Sequence, residues 1–413
     1  MRCKLVGHDV KHFIREIPHP CKTGHGVIER VNEWEKWMRW AELVFVTGNT
    51  LYMQQLQRYH DMGYPIFGAN KASADLEVNR MDGIKAIEKA GLKAIPSKLF
   101  HDYDQAIRYV KSCKKRLVSK PNGEADKSMT YVAPKDYSVE AMCYMLDRWN
   151  HNPKYRKDAK QHGFILQEFV PGIEMGVSGY FGPGGFSAWF TENWEEKSLM
   201  PGAMGPSTGE MGTTIRYVKK SKLADEMLLP LAPLLQSIKY VGDIDVNCII
   251  AEDGVPDFLE HTCRPGYPSW PIETSLRQGD PAKWMVDLCH GYDTLDCSTD
   301  VAVGFLVVQP DFPYSRFTGK LVEGIPVYGF GDWAHHHPTC MMLNNGRWET
   351  TLDYIGVVTG TGETVNGAKR SALASFKKLA IPNSPFIRND ISDRLQEQLP
   401  VLQKFGYAKG MEY

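Results

Sequence analysis

The sequence predicts a multidomain chain of mixed α/β and α+β layers, and three observations carry that expectation. A strand at 43–47, a helix at 51–62 closed by Gly63 and a strand at 65–68 follow one another, the order of a parallel α/β layer. Further on, strands at 177–181 and 186–191, and again at 245–251 and 257–262, flank short Gly-containing turns and read as hairpins. The length, 413 residues, exceeds what one ordinary core organises.

Residues 1–98 form the first expected unit, an N-terminal α/β domain. It opens on a short strand near 4–6, carries the strand–helix–strand pass, and ends on a helical period through Ile84 and Ile87 that Gly91 and Pro96 stop. The second unit, 99–176, has a helix at 104–111, a strand at 116–120, a polar loop at 121–128, a strand reaching Val132 and a helix at 138–149. Its last strand, 163–170, is apolar and stops at Pro171-Gly172. The third unit, 177–300, contains both hairpins. Between them, a Gly-, Met- and Pro-rich stretch at 201–212 reads as a loop, and an apolar helix at 222–240 is interrupted by Pro230 and Pro233. The fourth unit, 301–413, has strands at 301–309 and 354–359, a helix at 364–380 and a closing helix, a small α+β cap.

Composition excludes several classes. Lys and Arg total 48 against 49 Asp and Glu, a net charge of −1, which argues against a protein dedicated to nucleic acid or an anionic membrane surface. No apolar run approaches the ~18–20 residues of a membrane span. Met1-Arg-Cys-Lys-Leu-Val6 has no charged-then-apolar leader, so no signal peptide is expected. Nine cysteines without a Cys-x-x-Cys pair fit reduced thiols and a cytoplasmic location. His335-His336-His337 reads as a solvated loop.

Three segments carry residue types suited to phosphate and carboxylate chemistry. Lys120 ends a strand and precedes Pro121-Asn-Gly-Glu-Ala-Asp-Lys127-Ser128. An ammonium and loop N–H groups together can hold phosphate, although Lys120 taken alone reads first as a solvated charge. The spacing is not that of a P-loop. In Gln167-Glu168-Phe169-Val170-Pro171-Gly172-Ile173-Glu174, a strand runs straight into an irregular Pro-Gly. That exposes the backbone groups an adenine edge requires, and Glu174 stands where a carboxylate would accept both ribose hydroxyls. Asn247 and Glu260 lie on neighbouring strands, and Glu260 and Thr262 share a face because side chains alternate. A hard cation, Mg²⁺ or Mn²⁺, takes a carboxylate oxygen plus phosphate oxygens of a nucleotide, which makes these three the candidate metal ligands. Arg264, four residues after the carboxylate, suits bidentate capture of a substrate carboxylate.

In order and spacing these segments resemble the ATP-grasp ligases, and more narrowly the phosphoribosylamine–glycine ligase family. Met204-Gly-Pro-Ser-Thr-Gly-Glu-Met-Gly212 is similar to that family's Thr-Gly-Pro-Asn-Thr-Gly-Gly-Met-Gly. Phe67-Gly-Ala-Asn-Lys-Ala-Ser-Ala-Asp-Leu-Glu77 is similar to its Phe-Gly-Pro-x-Lys-x-Ala-x-x-Leu-Glu, and Phe386-Ile-Arg-Asn-Asp-Ile391 to its Tyr/Phe-Arg-x-Asp-Ile. The resemblance covers about residues 65 to 400 and implies an ATP-grasp fold: a small α/β domain (1–98), a small lobe (99–176), a large lobe (177–300) and a C-terminal cap (301–413). It implies ATP between the lobes, with Lys120, Lys127 and Ser128 on phosphates, Gln167 and the backbone of Glu168, Phe169 and Val170 on adenine, and Glu174 on ribose. It further implies Glu260 on metal, Arg264 on the carboxylate, and Gly205, Ser207, Thr208, Gly209 and Met211 along the substrate. The implied reaction phosphorylates a carboxylate and lets an amine displace the phosphate. Its partners are small molecules, and the chain works as a monomer or homodimer.

The departures concentrate at the substrate end. The family's Glu-x-Asn reads Glu260-His261-Thr262, and an acidic residue common on the preceding strand is Asn247, with Asp245 on the same face. The family's Arg-Phe-Gly-Asp-Pro-Glu reads Arg264-Pro-Gly-Tyr-Pro-Ser269, losing both carboxylates. A Gly-rich opening loop is replaced by Val6-Gly-His-Asp-Val-Lys-His12. The expectation is therefore an amide-forming ligase joining an amino acid such as glycine to an amine other than phosphoribosylamine, one carried on a nucleotide or nucleobase being an example. The alternatives are phosphoribosylamine itself, and a nucleotide-binding relative without catalysis. Asn247 and Thr262 favour that last reading; Glu174, Glu260 and Arg264 count against it.

Overall fold

A computed structural model describes residues 1–15, 22–123, 129–313 and 322–413. Two sheets organise the chain. The smaller has four antiparallel strands in the order Ser97–Phe100, Phe164–Glu168, Leu117–Pro121 and Tyr131–Val132. Alternation along its strands decides where side chains go. Phe164 and Leu166 enter a core of their own with Tyr103, Val110, Leu146 and Trp149 from the covering helices, Tyr103–Cys113 and Ser138–Asn150. Ile165 points the other way and joins the core of the larger sheet. Lys120 lies opposite Ile165 and Val118 opposite Gln167, so Lys120 and Gln167 share that inner face. A third helix, Pro153–His162, has no counterpart in the expected elements. Its signal is Asn152-Pro153: the Asn side chain accepts the Lys154 N–H, and proline suits the first helical position.

The larger sheet has eight antiparallel strands: Pro256–Thr262, Gly242–Ile250, Ile173–Gly182, Gly185–Met200, Met204–Val218, Val301–Val308, Tyr354–Gly362 and His336–Pro338. It runs through residue 300, because Val301–Val308 pairs with Met204–Val218 on one side and Tyr354–Gly362 on the other. Helix Val365–Phe376 packs on that end, with Ala368 and Ala372 buried against it.

Three local expectations need correction. The stretch 201–212 is mostly strand: Gly185–Met200 turns through Pro201–Ala203 and returns as Met204–Val218. Its Gly and Pro content is absorbed by the turn and by register shifts beyond Glu196. Residues 2–5 form a helical turn, not a strand. Arg, Lys and Leu favour helix, and among the described residues no strand pairs with them; instead the Arg2 guanidinium donates to the Ala334 carbonyl at 3.0 Å. The apolar helix at 222–240 breaks at its prolines into Ala224–Leu228, Leu229–Leu231 and Ala232–Ser237. The strand–helix–strand pass is as expected, Val44–Phe45 and Ile66–Phe67 pairing in parallel.

Candidate functional site

One face of the large sheet carries polar side chains in register. Thr262, Asp245, Ser178, Thr191 and Tyr217 form one cross-strand row, and Glu260, Asn247, Gly176, Asn193 and Ile215 the next. Opposite partners in an antiparallel pair point the same way, so both rows face the small lobe's side of the sheet. Arg80 ties the lobes together: its Nη1 is 3.0 Å from Glu260 Oε2, and its Nε donates to the Pro121 carbonyl at the end of the small lobe's inner strand.

Charge in the cleft centres on Lys197 and Glu260. Lys197 Nζ lies 2.6 Å from Glu174, 3.3 Å from Glu195 and 3.2 Å from Glu260. Burial by itself lowers this ammonium, but the three carboxylates raise it well above the usual lysine range. For Glu260, burial raises the carboxyl, while Lys197, Lys120 and Arg80 together hold it well below the usual range. Lys120 is 8% exposed, and burial lowers its ammonium to about 8, with Glu260 opposing. A buried cation with no carboxylate in direct contact among the described residues is suited to a phosphate, which supplies the missing charge.

At the expected adenine end, Gln167 is buried and donates to Ser97 Oγ at 3.1 Å, and its Oε1 has no partner among the described residues. The backbone is less open than expected. Glu168 N–H donates to Pro96 and Phe169 N–H to Arg116, because the Pro96 and Arg116 carbonyls lie beside this strand end; among the described residues Val170 N–H has no such acceptor. The Glu168 side chain pairs with Lys115 at 2.5 Å, and the Arg116 guanidinium lies 3.6 Å over the Phe169 ring. Glu174 reaches Lys197, within the cleft. Lys127 and Ser128 lie outside the described residues.

At the substrate end, Arg264 Nη2 lies 3.2 Å from Glu77, whose other oxygen accepts the Cys263 N–H. Gly209 lines the cleft, and Thr208 Oγ1 donates to the Lys197 carbonyl. Gly205 and Ser207 sit on the exposed outer part of the long ribbon, and Met211 is wholly buried in the main core. Strand alternation thus removes Met211 from the substrate surface. Residues the sequence reading passed over are Arg80, Glu195, Lys197 and Glu210. The signal was there: Thr191, Asn193, Glu195 and Lys197 alternate with period two, but the expected strand stopped at Thr191.

Glu210, Asp243 and Asp245 also line this cleft. Burial raises all three carboxyls well above the usual range, and Glu195 adds to it for Glu210 and Asp245, as Glu273 does for Asp243. The histidine run is not a solvated loop. His336 and His337 are buried in an edge strand, and His337 Nε2 meets Thr359 Oγ1 at 3.1 Å, because pairing with Tyr354–Gly362 carries the segment inside. Among the described residues no three His, Cys, Asp or Glu side chains are arranged to hold a metal by themselves. The oxygens of Glu260 and Asn247 fit a hard divalent ion that takes its other ligands from phosphate; among the described residues the buried Asn247 Oδ1 has no partner. Thr262 stands beside them on the edge strand.

No family model matches the chain. It is 24% identical over 343 residues to the phosphoribosylamine–glycine ligase of Ralstonia nicotianae, a match spanning 80% of this chain and 79% of the relative. The crystal structure of phosphoribosylamine–glycine ligase from Thermotoga maritima matches with a TM-score of 0.72 at 17% identity, over 94% of this chain and 95% of that one. The biotin carboxylase domain of Hydrogenobacter thermophilus 2-oxoglutarate carboxylase, solved with MgADP and bicarbonate, matches at 0.62 and 12%, over 99% and 95%. The fold is that of the ATP-grasp enzymes, and the chain resembles phosphoribosylamine–glycine ligases along most of its length.

Proposed function

We propose that the chain is an ATP-dependent carboxylate–amine ligase. The carrying observation is the set of charges gathered between the lobes: buried Lys120 with half-buried Lys197 and Arg80 around Glu260, and Glu174 beside them. Such a set would neutralise a polyphosphate, and Glu260 would hold the divalent ion that accompanies it. The γ-phosphoryl group passes to a substrate carboxylate, giving an acyl phosphate and ADP. An amine then attacks the acyl carbon, the amide bond forms, and phosphate leaves with the bonding pair of its C–O bond. Mg²⁺, held by Glu260 with Asn247, would screen the phosphate oxygens when bound. Gln167 and the Val170 N–H would meet adenine, and Glu174 would take ribose at the cost of its contact to Lys197. Arg264 takes the carboxylate. The assay is ADP release with ATP, Mg²⁺ and an array of amino acids and amines. Turnover that needs both an acid and an amine supports the reading, and ATP-independent or strictly hydrolytic behaviour overturns it.

For the amine, the relatives' names favour phosphoribosylamine. The residues favour another: a helix-forming Arg2–Leu5 and Val6-Gly-His-Asp-Val-Lys-His12 stand where a Gly-rich turn would offer N–H groups to a phosphate. Glycine, ATP, Mg²⁺ and fresh phosphoribosylamine decide between them. A kcat/KM at or above about 10⁴ M⁻¹s⁻¹ would restore phosphoribosylamine.

A further inference from the structure

The cleft holds more carboxyl groups than metal and nucleotide chemistry uses. Glu210 and Asp243 are 9% and 2% exposed, and with Asp245 they line a cavity of about 180 Å³. The neighbouring cations are already engaged: Lys197 by Glu174, Glu195 and Glu260, Arg264 by Glu77, and Arg277 by Glu273. What these three carboxyls have is neutral. Glu210 accepts from Thr213 and has Ser269 Oγ at 3.4 Å; Asp245 accepts from Asn193 at 2.7 Å. Asp243 Oδ1, which lines the cavity, has no partner among the described residues. Buried carboxyls without a cation are costly to keep, which points to a positive ligand.

The sequence marks this arrangement as particular to the chain. Glu210 stands where the resembling Thr-Gly-Gly-Met-Gly motif has glycine, and Ser269, the residue beside it, stands where Arg-Phe-Gly-Asp-Pro-Glu has its glutamate. A carboxyl absent from the turn after Arg264 reappears on the facing strand, against the side chain that replaced it. Because no three such groups are arranged around one point as a metal needs, the ligand that fits is an organic ammonium. Its three N–H donors reach oxygens set wider apart than a ~2.1 Å metal shell allows.

We propose that Glu210 and Asp243, with Asp245 beside them, form a subsite for a primary ammonium carried by one of the two substrates. The inference rests on the ligase reading. The ammonium is either the α-ammonium of an amino acid whose carboxylate lies on Arg264, in the same cavity, or that of the amine substrate.

The test is calorimetric titration of the full-length protein with glycine, glycolate and 1,4-diaminobutane, each in the presence of ADP and Mg²⁺. An ammonium on the amino acid predicts glycine at least about tenfold tighter than glycolate; an ammonium on the amine predicts binding of the diamine. In either case Glu210→Gln and Asp243→Asn weaken the ammonium ligand about tenfold or more, and ADP affinity stays within about twofold. Should Asp243→Asn not fold, Glu210→Gly, which restores the motif's glycine, carries the same expectation. Ammonium affinity unchanged in the variants, or no ammonium binding while ADP binds, overturns the subsite and leaves the ligase reading standing. Mn²⁺ binding at Glu210 without nucleotide also overturns it. If ADP itself fails to bind, the ligase reading falls and the subsite falls with it.

Discussion

Lys197 shows how much one side chain decides here. It touches three carboxylates that would otherwise repel one another across a closed cleft. Lys197→Met should cut ADP formation by about two orders of magnitude, the usual size for losing one charge-stabilising donor. Turnover within about twofold of the unmodified protein would place the chemistry elsewhere. Glu260→Gln should abolish ADP formation with the fold intact, as circular dichroism would record, since Glu260 is the anionic oxygen placed for the metal; full turnover across Mg²⁺ concentrations would reject that role. His337 gives a pH dependence of stability. Burial first, then Arg2 and the neighbouring histidines, lowers its imidazolium from 6.5 to about 3. The unfolded chain takes up this proton below about 6.5 and the folded chain does not, so this contribution is full above 6.5 and is lost as pH falls towards 3. At pH 5 the loss is about 2 kcal/mol relative to neutral pH. His337→Gln should flatten that slope in urea unfolding at pH 7 and pH 5. An identical slope in both proteins would exclude the histidine as its source.

Between elements, close approach is set by glycine. A Cβ on Gly360 would sit 2.0 Å from the Ala372 backbone nitrogen, so the strand Tyr354–Gly362 and the helix Val365–Phe376 touch backbone to backbone. Gly360→Ala should destabilise the chain by about 1–3 kcal/mol, the range for overpacking, because backbone cannot give way as a side chain does. Unchanged thermal and urea midpoints would contradict that packing. Gly176 has the same part inside the site, where a Cβ would meet Asn193 Oδ1 at 2.2 Å and Asn247 Oδ1 at 2.5 Å. The strand–helix–strand pass, the small lobe's first two helices and the Asp245–Thr262 hairpin were legible because their periods are regular and their ends are marked. The ribbon through 185–218 was not. Gly and Pro at 201–212 imitate a loop, and only pairing with a partner strand makes such a stretch extended.

At the scale of the molecule, the small lobe has its own core, and Arg80 links its inner strand end to the large sheet. A nucleotide bound between the lobes adds contacts to both and none to the unfolded chain. ADP with Mg²⁺ at 100-fold above its Kd should therefore stabilise the protein by about 2.7 kcal/mol. Calorimetric midpoints with and without nucleotide measure this, and no shift at saturation would refute binding between the lobes. Among the described residues no helix is long and apolar enough to cross a membrane.

The sequence by itself determined the fold class, and it singled out Lys120, Gln167, Glu174, Glu260 and Arg264 as candidates, since each stands at a strand end or beside a turn that local chemistry marks. Tertiary structure alone decided which charges meet. Arg80, Lys197 and Glu260 are far apart in the chain and come together only through the register of four strands and the docking of the helix Arg80–Lys89 beside the edge strand. It also decided which residues leave the site: Met211 enters the core, Gly205 and Ser207 go to the outer ribbon, and His336 and His337 go inside. The physical reason is that alternation and turns are properties of neighbours in sequence, whereas burial and ion pairing are properties of neighbours in space.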